Sequence, residues 1–75
     1  MKPPPIKVGP YMTARPLQIT DRGEWEIIDR HGGTLGLVEY YPRWKQYCFT
    51  PERGVVFSHD CLAALSRFVL SRGGK

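Results

Sequence analysis

Two histidines, two cysteines and seven carboxylates are the side chains here that could do chemistry, and their spacing decides which chemistry. By type, His31, Cys48, His59 and Cys61 could make a zinc set. Structural zinc sites, however, pair their ligands about two to five residues apart within each half. Only His59 and Cys61 are that close, while His31 and Cys48 stand 17 apart, so the spacing predicts no metal site. Cys61 falls near an expected helix start, where the dipole favours a thiolate, and His59 stands beside it. The same position also belongs to an apolar stripe, which predicts a buried, inert thiol. No third residue at a meaningful spacing would orient a Cys–His pair. Asp60 reads as a first-turn helix residue and His31 as a solvated turn residue. Gly32-Gly33 leads into β-type residues rather than a helix, so it lacks the plan of a phosphate loop. With no nucleophile, base and pocket to assemble, the sequence predicts a non-enzymatic protein with no cofactor.

These residues must be placed by a small fold. Seventy-five residues, 41% of them hydrophobic, allow one domain that buries about 60% of its unfolded surface. Five of the seven prolines lie in residues 1–20, which predicts a proline-rich, basic arm, extended over residues 1–10. Within it Tyr11, Met12, Leu17 and Ile19 could pack on the domain or form an edge strand.

From Asp21 onward the runs are short and β-like. Glu24–Ile28 predicts a first strand with Trp25 and Ile27 on one face. Arg30-His31-Gly32-Gly33 supplies a tight hairpin, and Thr34–Tyr41 a second strand. Pro42-Arg43 turns the chain into a third strand, Trp44–Phe49. Thr50–Gly54 predicts another turn, followed by a short fourth strand at Val55–Phe57.

A helix closes the chain, with Ser58 as N-cap, Asp60 in the first turn and Gly73-Gly74 as its stop. Cys61, Leu62, Leu65, Phe68 and Val69 form its apolar stripe. The expected architecture is α+β: a three- to four-stranded antiparallel β-meander with one C-terminal α-helix packed on one sheet face. The expected division is an arm at 1–20, a domain at 21–72 and a tail at 73–75.

The net charge of +4 suggests nucleic acid at first, but its distribution argues otherwise. Residues 1–20 carry Lys2, Lys7 and Arg15, and residues 61–75 carry Arg67, Arg72 and Lys75. The sheet region between them holds all seven acidic residues against five basic ones. Eight of the nine aromatics fall between Trp25 and Phe68. Trp25, Phe49, Phe57 and Phe68 read as core. Tyr40, Tyr41, Arg43, Trp44 and Lys45 gather at a hairpin tip, where core packing explains them less well, and such residues anchor protein interfaces.

These five are therefore the expected partner contacts, with a protein target as the expected partner. The second reading is a DNA- or RNA-binding module using the basic ends and the Arg43/Trp44/Lys45 hairpin. A second copy of the chain is the simplest cover for an open sheet face, so a homodimer is a further expectation. Met1–Pro5 lacks the apolar run of a secretory signal, and no stretch is long and apolar enough for a membrane span. That predicts a cytosolic protein with Cys48 and Cys61 as free thiols.

From Trp25 to Leu70 the chain resembles a group of small phage and prophage accessory proteins. Gly33-Thr34-Leu35-Gly36, Trp44-Lys45-Gln46-Tyr47-Cys48-Phe49-Thr50-Pro51 and Val56-Phe57-Ser58 carry the likeness, with Cys61-Leu62 and Phe68. The resemblance covers about 45 residues and leaves out the proline-rich arm. It implies a bacterial host cell and, by analogy, an inhibitor that docks on and blocks a host complex, as anti-CRISPR proteins do.

Overall fold

The computed structural model describes residues 4–17 and 23–72. Five strands run in chain order, β1 (Ile6–Val8), β2 (Met12–Leu17), β3 (Glu24–Asp29), β4 (Thr34–Tyr41) and β5 (Gln46–Pro51). Each pairs antiparallel with the next to give one meander, and a single helix, α1 (His59–Arg72), follows. The α+β class and the C-terminal helix are as expected; the strand count is not.

Two strands lie inside the segment expected as an arm, so the sheet begins at Ile6. Its two interior prolines are accommodated locally. Pro10 sits in the β1–β2 turn beside Gly9, whose φ of +66° suits a glycine. Pro16 lies in β2 beyond the reach of β1, which pairs only with Met12–Ala14, so its missing N–H costs that ladder nothing. The expected fourth strand at Val55–Phe57 is instead irregular, leading from β5 into the helix. The expected third strand starts two residues later, at Gln46, which leaves Trp44 in the turn.

The β3–β4 hairpin forms as its residues dictate. Asp29 Oδ1 accepts from the His31 and Gly33 N–H groups at 2.8 and 2.9 Å, and Gly32 takes a φ of +87°. One extra residue in β4, Leu35, makes a bulge against Ile27/Ile28 and touches the core.

Alternation along the strands sends Val8, Met12, Ala14, Trp25, Ile27 and Val38 to one face, where Ala64, Leu65 and Phe68 of α1 meet them. Phe49 and Phe57 stack edge-on at 5.5 Å against this core. Among the described residues, no element covers the opposite face, which is largely polar. Arg15 pairs there with Glu26, and Thr34 Oγ1 donates to the same carboxylate.

Ser58 caps the helix as expected, with its Oγ accepting the Cys61 N–H at 3.2 Å. The helix stop at Gly73-Gly74 lies outside the described residues. The buried stripe is rotated from its expected position. Ala64 is buried, whereas Leu62 is half exposed. No helix among the described residues is long and apolar enough to cross a membrane.

The turn and the open face carry a pH dependence. Hydrogen bonds from the Gly33 and His31 N–H groups hold the Asp29 carboxyl below its ordinary range. Those from Thr34 and Arg15 do the same for Glu26. A carboxylate depressed in the folded state adds stability above its unfolded pKa, and that stability is lost as pH falls through the folded value. Urea midpoints should therefore drop as pH falls below about 4.5, the upper end of the carboxylate range. Glu26→Gln/Asp29→Asn should flatten that drop; an equally steep acid limb in the double variant would refute the assignment.

Candidate functional site

The β4–β5 hairpin ends in a four-residue loop, Pro42–Lys45. Its amides fold back, Trp44 N–H to the Tyr41 carbonyl at 3.1 Å and Lys45 N–H to the Pro42 carbonyl at 3.2 Å. Lys45 closes the loop in the left-handed region at φ 55°, a position where a residue with a Cβ is uncommon. The turn separates the five expected contact residues into two groups. Tyr41 and Trp44 pack edge-to-face at 5.0 Å on the outside of the tip, with Trp44 63% exposed. Arg43 is exposed on the same turn.

Tyr40 goes the other way. It lies on the helix side of the sheet, edge-on to Tyr47 at 5.7 Å, and with Lys45 it lines a groove between the hairpin and α1. The groove has a volume of about 530 Å³. Gln46, Tyr47 and Phe49 form its β5 wall, and Leu62, Leu65, Ser66, Val69 and Leu70 its helix wall. Leu62 and Leu70 remain 53% and 64% exposed there. Lys45 is the one charged residue among those lining residues.

The helix wall was missed in the sequence, although a signal was present. At about 100° per residue, the apolar positions from Ala64 round to Leu70 cover roughly 240° of the helix, more than twice a one-sided stripe. A single sheet face cannot bury that width.

The remaining chemical residues do not converge. Among the described residues, no group of three His, Cys, Asp or Glu side chains is placed to hold a metal ion. His59 meets only Asp60, at 3.2 Å, with both side chains in solvent. Cys48 and Cys61 are free thiols, the first on the open face and the second against the core. Of the residues in the two basic ends, Lys7 is in β1, Arg15 is paired with Glu26, and Arg72 lies over the Trp25 and Phe68 rings. Lys2 and Lys75 lie outside the described residues.

Compared with protein-family models, curated proteins and solved structures, the chain matches none.

Proposed function

We propose that this protein is a non-enzymatic binding protein that docks on a protein target through the groove and the hairpin tip beside it. The observation that supports the reading is the apolar groove itself, whose helix wall presents Leu62 and Leu70 to solvent. Trp44 is exposed on the hairpin tip that contributes Lys45 to the groove. Two exposed leucines lining one apolar groove form a contiguous patch of the kind that marks an interaction site. Aromatic and arginine side chains at such a rim are the usual anchors of protein interfaces. Occlusion is the mechanism: the target's own side chains fill the groove, and its surface is then closed to its normal partner. In the phage setting that the resemblance implies, that target is a bacterial protein complex.

Leu62→Glu/Leu70→Glu and Trp44→Ala should each lose proteins that the immobilised wild-type chain retains from a bacterial extract. Affinity should fall about thirtyfold or more, as for loss of an interface hot spot. All variants should keep the wild-type circular dichroism and melting curve. Retention of the same proteins by both variants would place the contact elsewhere. Tight DNA or RNA binding that weakens steeply with salt would replace this reading with the nucleic-acid one.

A further inference from the structure

The helix lies across the core face of the sheet and reaches both of its edges. It touches β1 on one flank and β5 on the other. On the β1 side the approach is close, because the meeting residues are small. A Cβ on Gly9 would come within 2.9 Å of the Ala64 Cβ. On the β5 side the facing residues are larger, Phe49, Tyr47, Leu62 and Val69, and the groove lies among them.

That groove runs along a strand that is hydrogen-bonded on one side only, since β5 is the last strand in the sheet order. The Glu52 N–H donates to the Leu35 carbonyl at 2.9 Å. Antiparallel alternation then turns the backbone groups of Thr50 and Cys48 toward β4 and those of Phe49 away from it. Pro51 carries no N–H, and Lys45 breaks the strand at the other end, so the open edge is short.

Resting on the groove-docking reading above, we infer that the segment bound there adds to β5 as a sixth strand. It would be an extended stretch of the target protein, with apolar side chains at alternate positions entering the groove. A carboxylate at one end would meet Lys45. The charge argument selects this occupant over a second copy of the chain. Lys45 is the sole charged lining residue, so the groove is basic at the tip end. Two copies paired antiparallel through β5 would bring each basic tip, Arg43 and Lys45, toward the Pro51–Arg53 end of the other, which offers one carboxylate and another cation.

The probe is a random decapeptide display library selected on the wild-type chain. The expected survivors have apolar residues with a period of two and Asp or Glu at one end. Selection on Lys45→Glu should exchange that terminal acid for Lys or Arg. In the best binder, N-methylation of the backbone amides that face β5 should weaken binding about tenfold, the effect of one or two lost hydrogen bonds. Methylation in the other register should leave it nearly unchanged.

Survivors with apolar residues at helical spacing, or equal effects of the two methylation registers, would overturn strand addition while leaving groove docking intact. No enrichment at all, or a chain that is dimeric at micromolar concentration and turns monomeric in Leu62→Glu/Leu70→Glu, would also overturn it. Amide shifts on peptide binding that avoid Phe49, Leu65 and Val69 would remove the docking reading as well.

Discussion

Gly36→Ala should be the most damaging single-methyl change in this protein, with loss of about 3 kcal/mol, the upper end of the cost of overpacking. Gly36 is buried in the middle of β4. A Cβ there would lie 2.4 Å from the Thr50 carbonyl oxygen and 2.6 and 2.7 Å from Cζ and Cε1 of Phe49. The ring could turn aside. The carbonyl cannot, because it belongs to the ladder that joins β5 to β4. A chain of this length has only about 4–11 kcal/mol of total stability. The urea midpoint should therefore fall by roughly 2 M or more, given about 1 kcal/mol per molar for a small domain. An unchanged midpoint would show that the β4–β5 pair can open at this point without cost. The same change should also disturb the groove, since Phe49 forms part of its wall.

Trp25→Ala should cost as much or more, about 3–5 kcal/mol, and leave the protein largely unfolded at 37 °C. Trp25 is buried on β3 and meets the edge of Phe68 at 5.6 Å, while the Arg72 guanidinium stacks over its ring at 5.2 Å. Removing the indole therefore detaches the end of α1 from the sheet as well as leaving a cavity. Trp25→Phe should recover much of the loss, because it restores the ring contact with Phe68. Trp44→Ala is the contrasting case. Its exposure places its effect on stability within about 0.5 kcal/mol, while its effect on target binding should be large. Melting curves of the three variants, followed by far-UV circular dichroism, test this division. Comparable destabilisation by Trp44→Ala would mean that the tip is part of the fold rather than a contact surface.

The parts of the fold that were legible beforehand are those with a short-range cause. Asp29 followed by Gly32 and Gly33 encodes its turn through its own carboxylate and a residue free to take positive φ. Ser58 encodes the start of α1 through one hydroxyl. Trp25 and Ile27 alternate in a strand flanked by turn residues. The misreadings have long-range causes. Val55–Phe57 has strand-forming residues, yet it must cross from the sheet edge to the helix, and Phe57 is used to pack on Phe49. Residues 6–17 read as part of an arm because of the prolines in and around them. They join the sheet because Met12 and Ala14 complete the core beside Ile27, a benefit that exists only once β3 is in place.

The candidate site divides along the same line. Its residue types were readable, and so was their gathering at one hairpin. The separation of Tyr40 from Tyr41 follows from strand alternation and was readable too, once Thr34–Tyr41 was taken as a strand. Of the helix wall only its excess apolar width was readable, because which residues stay exposed depends on where the helix rests.

By itself, then, the sequence determined a basic, aromatic-rich β-meander capped by one helix, with a tip built of Tyr41, Arg43, Trp44 and Lys45. Only the tertiary structure decided that a groove stays open between α1 and the end of the β4–β5 hairpin. The physical reason is that the apolar arc of α1 is wider than one sheet face can cover, so Leu62 and Leu70 stay exposed opposite Phe49 and Tyr47, and the space between them is the groove.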